Sequence, residues 1–134
     1  MSVFCFVDKI AELKKNESIT TYFTLTGEEE FLKDHFEGFP VMPGVLLLEA
    51  LKQAAVSFLK ETEKSGVEYH LLEANDVKFG QFVKPGSTLK VFARRLNTEG
   101  QAHLFDGRID LVASEAGTSQ GKALTAGIKL VPIQ

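Results

Sequence analysis

The stretch that most restricts how this chain can fold runs from Asp34 to Leu59, DHFEGFPVMPGVLLLEALKQAAVSFL. It opens as a loop with Gly38, Pro40, Pro43 and Gly44 inside seven residues. It continues as a helical segment in which only Glu49, Lys52, Gln53 and Ser57 are not apolar between positions 45 and 59. A helix that apolar all round is either buried or membrane-spanning. At roughly 15 to 18 residues with a carboxylate inside, it is short for a bilayer, so burial in a soluble fold is expected and no membrane span.

At about 100° per residue, Glu49, Gln53 and Ser57 fall on one narrow polar stripe. An acid among Val45, Leu46, Leu48 and Ala50 is costly to ionise unless something pairs with it, and a neutral carboxylic acid can donate a proton. The alternative is that Glu49 marks the exposed edge of an amphipathic helix. Upstream lies His35, and Pro43-Gly44 stands where the helix begins. That placement suits a first turn whose free N–H groups meet a ligand closely, a cradle for a carbonyl oxygen gaining negative charge. The stretch thus holds a candidate base, an oxyanion site and a candidate acid. Those are the parts needed to abstract a proton beside a carbonyl and expel a hydroxyl.

The run HFEGFPVMPGVLLLEALKQAA closely resembles the central motif of the FabZ-type β-hydroxyacyl-acyl carrier protein dehydratases, roughly H-F-P-G-H-P-V-M-P-G-V-L-x-x-E-A-x-x-Q. His35, Phe36, Gly38, Pro40 to Leu46, Glu49, Ala50 and Gln53 stand in register without gaps. FCFVDKI near the start resembles the family's P-F-L-L-V-D-R-V, and DVKFGQFVKPGSTL (76 to 89) resembles D-x-x-R-F-x-x-P-V-x-P-G-D-x-L. The resemblance covers nearly the whole chain and weakens after about residue 97. It implies an α+β hot-dog fold, a long central helix wrapped by a curved antiparallel sheet. It implies dimers, able to assemble further as trimers of dimers, whose sites take His35 from one subunit and Glu49 from the other. In that family the histidine acts on the α-carbon proton and the acid assists loss of the hydroxyl. The amide at Gly44 holds the thioester oxygen. Phe36, Pro43, Gly44, Val45 and Gln53 are the expected substrate contacts, and the partner is an acyl carrier protein bearing a phosphopantetheine-linked chain. No cofactor or metal is implied.

Departures from the motif are Asp34 for Gly, Glu37 for Pro, Phe39 for His, Lys78 for Arg and Ser87 for Asp. A carboxylate at Asp34 would raise the pKa of the adjacent imidazole, or it points to solvent and does nothing. A hot-dog thioester hydrolase and a non-catalytic acyl-binding subunit are the competing readings. His35 counts against the first, and the substitutions at Asp34, Glu37 and Phe39 keep the second open.

The 134 residues are expected to form one domain, residues 1–134, with no linker or internal repeat. A net charge of -3 without a dense Lys/Arg block argues against nucleic-acid binding. The single cysteine, Cys5, excludes an internal disulfide and fits a reducing compartment, and the start lacks a signal-peptide pattern. A cytoplasmic enzyme is expected. Alternation predicts strands over 3–13, 18–26, 67–80, 88–96, 101–113 and 122–133, with a polar turn around Lys14 to Glu17 and a short helical turn at GEEEFL. His70 and His103 are expected at the surface or in a dimer contact. Lys78, Lys84, Lys90, Arg94 and Arg95 form either a basic rim for an acidic carrier or an ordinary solvated edge. The eleven Phe residues line an acyl tunnel or simply fill the core.

Overall fold

The computed structural model of the chain describes residues 5–26, 42–63, 66–113 and 119–133. Its strands are β1 (Lys9–Lys14), β2 (Ser18–Thr24), β3 (Tyr69–Phe79), β4 (Thr88–Glu99), β5 (Ala102–Val112) and β6 (Ser119–Pro132), and its helix is α1 (Gly44–Glu63). The six strands form one sheet in the order β1-β2-β4-β5-β6-β3. Every neighbouring pair is antiparallel.

Strict alternation decides the two faces of the sheet. Leu89, Val91 and Ala93 of β4, Phe105 and Ile109 of β5, and Leu124, Ala126, Ile128 and Leu130 of β6 are all buried. They face α1, whose buried positions Leu47, Ala50, Leu51, Ala54, Ala55, Phe58 and Leu59 recur at helical spacing of three and four. Phe58 meets Phe105 edge to face at 5.6 Å between ring centroids. Leu51 is fully buried against β5. A Cβ on Gly107 would lie 2.3 Å from Leu51 Cδ1, so the bare backbone of β5 is what admits this side chain. Full burial of one leucine stabilises by about 1.5–3 kcal/mol.

Several boundaries differ from the sequence reading, each for a local reason. The strand read over 3–13 is β1 from Lys9; residues 5–8 stand outside it, with the Phe6 amide taken by the Gln53 side chain, and residues 3 and 4 lie outside the described residues. The turn at Lys14–Glu17 is present, closed by Glu17 N–H donating to Lys14 O at 2.9 Å with Asn16 at φ 63°. The helix continues past the apolar run to Glu63, since Lys and Glu are good helix formers. The GEEEFL segment lies outside the described residues.

The expectation of a helix covered on all sides is corrected. Only one face of α1 is buried, while Leu46, Leu48 and Val56 are half-buried and Val45 is 69% exposed. His103 is likewise not a surface group. It is 9% exposed, packed edge to face against Tyr69 at 5.5 Å. His70 is exposed, as expected.

Candidate functional site

The start of α1 is fixed from two sides. Met42 N–H donates to Val83 O at 2.8 Å, tying the lead-in to the β3–β4 connection, and Leu46 N–H donates to Pro43 O at 3.0 Å. The first helical amides, at Gly44 and Val45, have no acceptor within the helix and carry the positive end of its dipole. Phe79, at the end of β3, lies across Gly44. A Cβ there would come within 2.8 Å of Phe79 Cε1, so any other residue would push the ring aside. Beside this turn lies a cavity of about 290 Å³, walled chiefly by apolar groups including Met42, Pro43, Leu47, Phe79 and Phe82. An apolar cavity next to free backbone N–H groups is a combination suited to an acyl carbonyl compound.

Glu49 sits about 7.5 Å further along the helix axis. Its side chain is 22% exposed, with Lys52 Nζ 3.7 Å from Oε2. Gln53 Nε2 donates to the same Oε2 at 2.9 Å. Gln53 Oε1 in turn accepts from the Phe6 backbone N–H at 2.7 Å. A backbone N–H can only donate, so the orientation of the Gln53 amide is forced: its oxygen faces Phe6 and its NH2 faces Glu49. One carboxylate oxygen of Glu49 is thereby occupied, and Oε1 is the oxygen left for chemistry. Lower on the stripe, Ser57 Oγ donates to Gln53 O at 2.9 Å. These side chains wall a groove of about 590 Å³ that also meets Cys5, Val7, Tyr69 and Ile133.

Pro43 and Gly44 thus line the apolar cavity at the start of α1, whereas Glu49 and Gln53 line the separate groove, with Glu49 about 140° around the helix from Gly44. Of the two readings of Glu49, an acid among aliphatic neighbours or the edge of an amphipathic helix, the geometry is nearer the second: Glu49 faces an amide and an ammonium at the edge of an open groove. Val45 points away from the core. His35 and Phe36 lie outside the described residues, as do Asp34, Glu37 and Phe39, so the proposed His35–Glu49 pairing is not placed.

Sequence reasoning missed two members of this arrangement. The Phe6 amide acts 47 residues away from Gln53, a separation that no periodicity reveals. Phe79 was visible only as part of the DVKFGQF run. Nor do the basic residues form one rim. Lys90 and Arg94 lie on the sheet face turned away from α1, whereas Arg95 pairs with Glu63 at the end of the helix, at 3.4 Å. Among the described residues, no group of three or more His, Cys, Asp or Glu side chains is placed to hold a metal ion, and no helix is long and apolar enough to cross a membrane.

Residues 11–119 match the ApeI-like family, described as ApeI dehydratase. The chain is 45% identical over 87 residues to a 3-hydroxyacyl-[acyl-carrier-protein] dehydratase FabZ of Lactobacillus helveticus, a match covering 64% of this chain and 59% of that protein. It is 35% identical over 105 residues to the Clostridium kluyveri FabZ, covering 78% of this chain and 73% of that one. Among solved structures, the ApeI:P dehydratase heterocomplex from Xenorhabdus doucetiae superposes with a TM-score of 0.75 at 16% identity, over 97% of this chain and 84% of that one. One long helix against a six-stranded antiparallel sheet, with this neighbour, is the hot-dog fold.

Proposed function

The chain belongs to the ApeI-like dehydratase family, and from that premise we propose that it removes water from a 3-hydroxyacyl thioester carried by an acyl carrier protein. His35 takes the C2 proton, electrons move toward the thioester carbonyl, and the oxygen that gains charge is held by the Gly44 amide. Collapse of that charge forms the C2=C3 bond as the C3–O bond breaks. Glu49 delivers a proton from Oε1 to the departing hydroxyl, which leaves as water and gives the trans-2-enoyl thioester. The acyl chain lies toward the apolar cavity at Pro43, Leu47 and Phe79.

The observation that carries this reading is the Phe6–Gln53–Glu49 chain of hydrogen bonds in the first half of α1. A carboxylate oriented through one oxygen at the edge of an open groove is an arrangement for acid–base work, and its place about 140° around α1 from Gly44 fits a site that takes acid and amide from different subunits. Two copies, each supplying one half of a site, form the working unit in this reading. Support comes from β3, which among the described residues is an edge strand with Leu72 59% exposed, and from Val45 on α1, 69% exposed. We place this enzyme in the cytoplasm.

The test is hydration of an enoyl thioester by His35→Ala and Glu49→Gln variants that retain native circular dichroism. Each is expected to fall by at least about two orders of magnitude, and an unaltered rate in either defeats the assignment. Mixing the two inactive variants is expected to restore part of the activity after verified subunit exchange; no recovery argues against a shared site. A saturated acyl thioester is expected to release no thiol, and thiol release would make the chain a hydrolase.

A further inference from the structure

The cavity beside the start of α1 has a floor and a rim of different character. Met42, Leu47, Val83 and Ala123 form its buried floor, whereas Phe79 and Phe82 at its rim are 56% and 66% exposed. Ala123 has the smallest side chain of the six, and it faces the cavity against the alternation of β6. Leu124 is buried on the helix side, so a regular strand would turn Ala123 outward. The β5–β6 register slips at this point. Ile109 stands opposite Leu124 and Asp110 opposite Lys122, which leaves Ala123 as the extra residue of a bulge. Ala123 and Leu124 are therefore both buried on the side of α1, and Ala123 reaches the cavity.

The cavity is closed at Ala123 by backbone rather than by side chains that could yield. Gly80 N–H donates to Ala123 O and Gln81 N–H donates to Lys122 O, each at 2.9 Å. A Cβ on Gly80 would run into the Lys122 carbonyl oxygen, so the two segments already lie as close as a bare glycine permits. A wall of this kind fixes the depth of the cavity, because packed backbone does not swing aside as a long side chain does. The volume of about 290 Å³ lies at the small end for ligand sites, which span about 300–1,000 Å³. At roughly 30 Å³ for a water-sized group such as a methylene, it takes no more than about ten.

We propose that Ala123, turned inward by the bulge, sets the length of acyl chain this protein accepts, with a limit near about twelve carbons. The inference rests on the dehydratase reading, in which C1 to C3 stay at the reacting site and the chain beyond them enters the cavity. Each methylene that gains apolar contact strengthens binding, and one that meets the fixed floor either stays in water or strains the site. The substrates are then short- and medium-chain 3-hydroxyacyl thioesters, and long chains are discriminated against. A larger side chain at position 123 fills the floor first, so the limit moves to shorter chains while the atoms around Gly44 and Glu49 stay where they are.

The experiment follows hydration of trans-2-enoyl pantetheine thioesters of C4, C8, C12 and C16 length, each below its micellar concentration. For the wild type, kcat/KM is expected to peak at C8 or C12 and to fall at least about tenfold at C16. Ala123→Leu occupies the space of about three methylene-sized groups. Its C12-to-C4 ratio of kcat/KM is expected to drop by about tenfold or more, with Ala123→Val between it and the wild type. The ratio does not depend on how much of a variant is folded, and Ala123→Val supplies it should Ala123→Leu not fold. An unchanged ratio in the folded variants overturns the proposal, as does a wild type that prefers C16. Should no enoyl thioester be hydrated, the dehydratase reading fails, and the length limit is judged by calorimetry with saturated acyl pantetheine thioesters of the same lengths. Affinity that levels off by C12 in the wild type, and at a shorter chain in Ala123→Leu, upholds the limit; affinity that rises equally through C16 in both overturns it.

Discussion

Replacing Gln53 by Leu tests the hydrogen-bond chain on which the site depends. The substitution keeps side-chain volume and removes both bonds, the 2.7 Å acceptance from Phe6 N–H and the 2.9 Å donation to Glu49. Phe6 is 1% exposed, so its amide has little access to water, and an unsatisfied part-buried donor costs about 1–3 kcal/mol. Losing a donor to the carboxylate adds a smaller amount, because Glu49 is partly exposed and water can replace the amide. A total near 2 kcal/mol follows, which in a domain of this size lowers Tm by about 8 °C. Gln53→Glu separates the two bonds. Its carboxylate can still accept from Phe6, but it would sit within hydrogen-bond distance of Glu49, where two carboxylates cannot both ionise without repulsion. The pair's folded pKa is then raised above the unfolded value near 4.3, so the variant keeps its stability at low pH and loses it as pH rises through the folded pKa. Urea unfolding from pH 4 to 8 reads both effects. A Gln53→Leu variant within about 0.5 kcal/mol of wild type, or a Gln53→Glu variant no more pH-dependent than Gln53→Leu, refutes the reasoning.

Gly107→Ala is expected to destabilise by about 1–3 kcal/mol in urea unfolding, because its Cβ would fall 2.3 Å from Leu51 Cδ1 in the packed core; wild-type stability would mean that Leu51 does not sit over β5. Gly44→Ala meets the exposed Phe79 ring, which can swing away. A stability loss under about 1 kcal/mol with a raised KM is therefore expected, and an unchanged KM would remove Phe79 from the cavity wall. Burial first, then the Arg95 charge, lowers the His103 pKa below 6.5, with Glu63 opposing. The unfolded chain then binds the proton more readily, so this contribution is intact above pH 6.5 and declines as pH falls toward the folded value. Tm of His103→Phe is expected to fall less than that of wild type over the same acid range, and parallel curves would exclude the histidine as the cause.

What was legible in the sequence was whatever had a short period. Leu89, Val91 and Ala93 against Lys90, Phe92 and Arg94 gave β4 and its faces, and the four-residue spacing of Glu49 and Gln53 gave the stripe on which they meet. Two kinds of information were absent. The first is register slippage: simple alternation through KALTAGIKL places Lys122 on the wrong face, since one extra residue at a bulge inverts every position before it. The second is long-range contact, such as the Phe6 amide on Gln53 or the Arg95 turn toward Glu63, which depends on how strands are ordered in the sheet.

The apolar character of α1 invited a third misreading, and its correction bears on function. A segment apolar on every side predicts a helix enclosed by its own fold, yet one sheet covers only the face built from Leu47, Leu51, Ala54 and Phe58. The remaining face joins Val45, Leu48 and Val56 to the Glu49 stripe, and the exposed Leu72, Phe79 and Phe82 belong to the β3 side of the molecule. Apolar surface of that extent is costly to leave in water. A second subunit laid along α1 and β3 would cover it and would at the same time close the groove beside Glu49. The partial exposure of Glu49 in one chain is thus what a residue at a subunit boundary should show, and sedimentation of a β3 edge variant such as Leu72→Lys is expected to yield monomers whose enoyl hydration is lost. Monomers with full activity would place the whole site within a single chain.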